Sequence, residues 1–107
     1  MEEKKKDNRH HRQVADAIRD ELSIIMRREI NHPNIEKVGM ITISGVDLAP
    51  DGRDATVWLS FMGKEEKDQD VQDALVALKN SSAFMHRLLI KRLPMKIHPK
   101  LSFKFDK

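Results

Sequence analysis

The chain contains no cysteine, only four glycines and four prolines, and only four Phe and one Trp among its 107 residues. Without cysteine there are no disulfides and no thiolate metal sites, which fits a reducing cytosol. No apolar run approaches the ~20 residues needed to span a bilayer. The N-terminus, "MEEKKKDNRHHRQ", mixes acids with bases and has no apolar stretch, unlike a secretory signal or a transit peptide. The expectation is a soluble, intracellular protein. There is no nucleophile motif, no glycine-rich phosphate loop and no pair of carboxylates placed on rigid elements, so a non-enzyme without cofactors is expected. The five histidines (10, 11, 32, 86 and 98) lack ligand spacing, and the adjacent pair cannot share a helical face, so no metal site is expected.

The length suits one domain with one core. Apolar residues make up 39% and charged residues 35%, and their periodic spacing marks a globular chain. The formal net charge is only +3, but it is unevenly spread. Acids outnumber bases between residues 31 and 82, whereas residues 83–107 carry seven Lys and Arg against the single acid Asp106. Such asymmetry points to a polyanionic partner more strongly than the total does, the alternative being a solvated basic surface.

Residues 1–11 read as a flexible charged arm and residues 12–107 as the folded domain. Val14, Ile18, Leu22, Ile25 and Ile30 recur at helical spacing, with Met26 at the margin, which predicts a helix over Arg12–Ile30. "INHPN" ends it, because Pro33 cannot continue a helix and disfavours helical geometry at His32. "VGMITISGVDL" predicts a strand over Val38–Leu48. Ile41 and Ile43 differ in parity from Val46 and Leu48, and a bulge at Gly45 would bring all four to one side. "APDGRD" is a turn, with Pro50 fixing φ and Gly52 supplying the left-handed residue. "ATVWLSF" then alternates, completing a hairpin with Trp58 on the outer face.

Val71, Ala74, Leu75 and Leu78 mark a short helix with Asp68 or Asp70 as N-cap. After a break at Asn80-Ser81-Ser82, Phe84, Met85, Leu88, Leu89 and Leu93 mark another, ended by Pro94. "MKIHPKLSFKFD" alternates as a last strand, with Pro99 favouring an edge or a local bulge. Three strands with one apolar face, covered by three amphipathic helices, give a two-layer α+β sandwich of order α-β-β-α-(kink)-α-β. The helical crossover before the last strand permits a parallel pairing, and strand order stays open.

Three stretches carry a resemblance: "RQVADAIRDELSIIMRREINHP", "ITISGVDLAPDGRDATVWLSF" and "LPMKIHPKLSFKFD". Their order and spacing, from about Arg9 to Lys107, resemble the ribosome-binding factor A family of bacterial small-subunit assembly factors. The resemblance implies a type II KH-like fold in which a helix-kink-helix with an Ala-x-Gly signature replaces the usual Gly-x-x-Gly loop. The matching positions here are Ser81-Ser82-Ala83. Ala in place of Gly speaks against a left-handed backbone at residue 83, while the serine hydroxyls can still form the kink by bonding to nearby backbone. The resemblance also implies a cytoplasmic monomer that binds the free small (30S) subunit and its 16S rRNA, assists 5′-end processing of the precursor and matters for growth in the cold. Neither a membrane nor a small-molecule substrate belongs to that picture.

The candidate RNA contacts are Ser81, Ser82 and Ala83 at the kink, Arg87, Lys91 and Arg92 along the second helix, Lys96 and Lys100 beyond it, and Arg9 and Arg12 near the start. Each has a plainer reading. The kink can be a packing connection between helices. Lysines on an edge strand, Lys104 among them, also guard against edge-to-edge pairing. Lys4, Lys5 and Lys6, diluted by Glu2, Glu3 and Asp7, read as a solvated tail. Trp58 reads as packing over its neighbours before it reads as a stacking platform. Two rival functions remain: a generic single-stranded RNA module of KH type, and a protein-interaction domain using the outer face of the sheet.

Overall fold

The computed structural model describes residues 2–107, with side chains from His11 onward. The flexible arm expected over residues 1–11, and Arg9 with it, lies outside the residues whose side chains are described, His11 excepted. In chain order the elements are α1 (Glu2–Arg28), α2 (Pro33–Glu36), β1 (Ile41–Leu48), β2 (Asp54–Phe61), α3 (Gln69–Asn80), α4 (Ser82–Arg92) and β3 (Lys100–Phe105). The strand order is β1-β2-β3, with β1 antiparallel and β2 parallel to its other neighbour β3. The parallel pairing permitted by the helical crossover is therefore formed.

The expected bulge is present. Register between β1 and β2 shifts between Ile43 and Gly45, leaving Ser44 as the extra residue. Ile43 is consequently buried, and Ile41, Val46 and Leu48 all pack against the same core. The hairpin turn closes through Gly52 N–H to the Ala49 carbonyl at 2.9 Å, with Gly52 at φ +73. One buried layer then joins Ile18, Leu22 and Ile25 of α1, Val57 and Leu59 of β2, Val71 and Leu78 of α3, and Met85 and Leu89 of α4. Phe61 and Phe105 stack with ring centroids 5.8 Å apart.

Four boundaries differ from the sequence reading. α1 begins at Glu2 rather than Arg12 and ends at Arg28 rather than Ile30, and Pro33, read only as a terminator, also opens the short α2. His32 caps that helix, its Nδ1 accepting from the Asn34 amide at 3.1 Å, and Pro33 occupies the first turn, where its missing N–H costs nothing. β1 starts at Ile41 because Gly39, at φ +90, turns the chain just before it. β3 starts at Lys100 rather than Met95. The intervening segment is held by side chains instead of a strand ladder: His98 Nε2 donates to the Leu93 carbonyl at 2.8 Å, and His86 Nε2 to the His98 carbonyl at 2.9 Å. Pro99 is fully buried at its end.

Asp68 occupies the N-cap position of α3, but its carboxylate accepts from the Glu65 amide at 2.9 Å instead of capping the helix. Asp70 in the first turn meets Lys64 at 2.6 Å. The hydrogen bond from Lys64 and its positive charge hold the Asp70 carboxyl below its ordinary value of 3.8. A depressed carboxylate stabilises the fold above the unfolded-state pKa, and that contribution fades as pH falls through the lower folded-state value. Acid unfolding of the Asp70→Asn variant, followed by circular dichroism, should therefore lose stability less steeply below about pH 4 than the unaltered chain.

Candidate nucleic-acid interface

Between α3 and α4 the chain is interrupted at one residue. Ser81 has φ −92 and ψ 0, and its amide is shared between the carbonyls of Ala77 at 3.0 Å and Leu78 at 3.1 Å. Its own carbonyl accepts from Met85 N–H at 3.0 Å, which starts α4. The Ser82 hydroxyl donates to the Lys79 carbonyl at 2.7 Å, satisfying an acceptor that the end of α3 would leave open. Among the described residues no non-glycine has positive φ. Ala83 thus sits in ordinary helical geometry, and this kink does not need a glycine there. Within α4 the amides of Ser82, Ala83 and Phe84 have no carbonyl to bond, and the helix dipole leaves that end partly positive.

The three cations of α4 separate into two kinds. Arg92 reaches back to α1, with one guanidinium nitrogen 3.2 Å from Glu21 and the other 2.8 Å from Glu29. The hydrogen bonds from Glu29 and then Glu21 push its pKa further above the ordinary arginine range. Its charge is met inside the fold. Arg87 and Lys91, one turn apart, are exposed, and no carboxylate among the described residues lies within ion-pair distance of either. They are the cations of α4 left for an external anion.

The remaining candidates do not gather into one patch. Lys100 and Lys104 alternate with buried Leu101 and half-buried Phe103, so they lie on the helix-free face of the sheet. There Lys100 is in register with Asp54, and Lys104 with Trp58. Lys96 is exposed in the segment leaving α4. That segment borders a cavity of about 610 Å³ lined by His11, Val14, Pro50, Lys96 and Ile97, among others, which brings Lys96 towards the turn of α1 that bears exposed Arg12. Trp58 is half-buried, its Nε1–H donating to Asp47 at 2.9 Å, while its carbonyl accepts from Ser44 Oγ at 3.2 Å. Its ring is tied to its neighbours, as the packing reading expects. Among the described residues no group of three or more His, Asp or Glu is placed to hold a metal ion, and no helix is long and apolar enough to cross a membrane.

Two features escaped the sequence reading. The carboxylates that hold Arg92 lie 71 and 63 residues away, and no local pattern marks them. Phe84, placed in the apolar stripe of α4, is 38% exposed and does not join the core, which takes Met85, Leu88 and Leu89 instead. At about 100° per residue, positions 84, 85, 88 and 89 all fall within one arc of roughly 140°, so the spacing alone does not separate Phe84 from the stripe.

Comparison with known proteins gives a consistent result. The family model described as ribosome-binding factor A matches residues 10–107. A ribosome-binding factor A from Acinetobacter baumannii is 34% identical over 100 residues, covering 90% of this chain and 74% of the relative. The solution structure of a Thermotoga maritima protein described as a putative ribosome binding factor A superposes with a TM-score of 0.74 at 25% identity, covering 89% of this chain and 85% of that one. A Thermus thermophilus ribosome binding factor A, a homology model fitted into a cryo-EM map of its complex with the 30S subunit, shares the fold with a TM-score of 0.58 at 24% identity, covering 86% of each chain.

The geometry of the kink generates a test. Ala83→Gly should lower stability by about 0.5–1 kcal/mol, because glycine loses more backbone freedom in a helix. Urea unfolding measures it, and a gain in stability would show that residue 83 prefers a left-handed backbone.

Proposed function

The chain belongs to the ribosome-binding factor A family, and from that premise we propose that it binds the free small ribosomal subunit and contacts 16S rRNA during late maturation. The observation that carries the proposal is the pair Arg87 and Lys91, exposed one turn apart on α4 without acidic partners among the described residues. The kink at Ser81 opens α4 on the partly positive amides of Ser82, Ala83 and Phe84, while Lys96 and Arg12 serve this reading as separate contacts. Such contacts neutralise phosphates and position the protein; they do not read base sequence. Lys100 and Lys104, on the other face of the sheet, serve this reading only as a second contact and otherwise protect the edge strand.

In this role the protein acts in the cytoplasm as a monomer, without cofactor or small-molecule substrate, and is not an enzyme. It assists processing at the 5′ end of the 16S precursor by holding RNA rather than cutting it. Its value is greatest in the cold, where misfolded RNA persists longer. These finer roles rest on family membership.

Co-sedimentation with free small subunits, large subunits and assembled ribosomes across a salt series tests the proposal. The expected result is selective pelleting with free small subunits that fades as salt rises. The double variant Arg87→Ala/Lys91→Ala should flatten the salt slope by about 1.4, at roughly 0.7 per lost single-strand phosphate contact. Equal pelleting with all three particles would leave a generic single-stranded RNA module. Binding indifferent to salt would point to a protein-interaction domain.

A further inference from the structure

Three of the four phenylalanines serve the interior: Phe61 is buried, and Phe103 and Phe105 pack against the core. Phe84 does not. It stands 38% exposed on the first turns of α4, immediately after the kink. A single exposed apolar side chain is unremarkable in a folded protein, so its neighbours decide what it means. At about 100° per residue, Phe84, Lys91 and Arg87 fall within roughly 60° of one another around the helix. Arg87 follows Phe84 by about 4.5 Å of helical rise, and Lys91 follows Arg87 by about 6 Å. An aromatic face with no place in the core therefore heads a row of two cations that no carboxylate among the described residues neutralises.

We infer that Phe84 is a stacking platform for one unpaired RNA base, with Arg87 and Lys91 holding the phosphates that follow it along α4. The inference rests on the RNA-binding reading above and deepens it, by specifying unpaired nucleotides as the ligand at this face. A base in a duplex already stacks on both sides and cannot lie on a protein ring, whereas an unpaired base can, whatever its identity. A protein partner seated on the same ring would have to bury two unpaired cations, at a cost only its own carboxylates could offset. A nucleic-acid strand brings phosphates of its own. The contact would give the protein a preference for single-stranded over helical RNA that charge alone does not supply.

The test measures affinity of the full chain for an unstructured RNA oligomer and for a perfectly paired duplex of the same sequence, each over a salt series. Phe84→Ala should weaken binding to the unpaired oligomer by about 5- to 150-fold, the range for losing one stacked base. Its salt slope should be unchanged, since no phosphate contact is lost, and its duplex affinity should not move. Phe84→Trp should retain the affinity, while Phe84→Leu, apolar but without a ring face, should not. Phe84 is 38% exposed, so neighbours still cover part of its ring; Phe84→Ala should melt somewhat earlier than the unaltered chain, and affinities are compared at a temperature where every variant is folded.

The inference is overturned if Phe84→Ala binds unpaired RNA normally. It is equally overturned if leucine substitutes as well as tryptophan, which would indicate an apolar protein contact, or if duplex binding falls in parallel. Arg87→Ala/Lys91→Ala measured alongside separates the two levels. Loss of affinity and slope in that variant, with Phe84→Ala unaffected, defeats the stacking inference and leaves the RNA-binding reading standing. No effect from either, or no binding of the unaltered protein to unpaired RNA, defeats both.

Discussion

The structure depends on covering one face of its central strand. Val57 and Leu59 of β2 are fully buried, and β1 and β3 are both hydrogen-bonded to that strand. A three-stranded sheet with one such face has to place its helices together on that side. α1, α3 and α4 do so, contributing Ile18, Leu22 and Ile25, then Val71 and Leu78, then Met85 and Leu89. The opposite side of α4 is thereby left in water, and the other face of the sheet is left polar around Trp58, Ser60 and Ser102. Burial of the apolar side of α4 determines which of its basic side chains an external anion can meet.

Arg92 refines that outcome. A guanidinium can bond two carboxylates at once through its planar fork, and here Glu21 and Glu29 of α1 occupy both ends. The bridge joins the last turn of α4 to the first helix, just before Pro94. It also gives one of the three cations of α4 partners within the chain, leaving Arg87 and Lys91 for an external anion. The surface left to the proposed RNA contact is thus smaller than the count of basic residues implies, but it is held on a helix fixed at both ends. At one end the Ser82 hydroxyl closes the kink, and at the other Arg92 ties the helix down.

What could be read in the sequence was governed by local rules. A bulge at Gly45 followed from a parity change between Ile43 and Val46, and the structure puts its extra residue at Ser44 next to it. The hairpin followed from Pro50 and Gly52, and the kink from three polar residues inside a helical rhythm. The features that escaped reading depend on distant partners or on competition between neighbours. Strand order depends on where the crossover through α3 and α4 lands. The segment before β3 alternates like a strand, yet the bonds through His86 and His98 hold it out of the ladder. The alternation of the last strand, by contrast, already set Lys100 and Lys104 opposite Leu101, Phe103 and Phe105, and the structure keeps them on that helix-free face. Phe84 and Met85 are both apolar, and only packing decides which of them turns inward.

Oxidative footprinting of the protein bound to free small subunits offers the most direct test, because suitable reporters lie on three separate parts of the molecule. Phe84 marks the outward face of α4, Trp58 the helix-free face of the sheet, and Met40 and Met62, exposed at 61% and 70%, the end of the β1–β2 pair. Exposed methionines oxidise readily and report solvent access. If the outward face of α4 is the RNA-contacting surface, binding should protect Phe84 while Trp58, Met40 and Met62 react at their free rates. Protection of Trp58 or of the two methionines, with Phe84 still reacting freely, would contradict it.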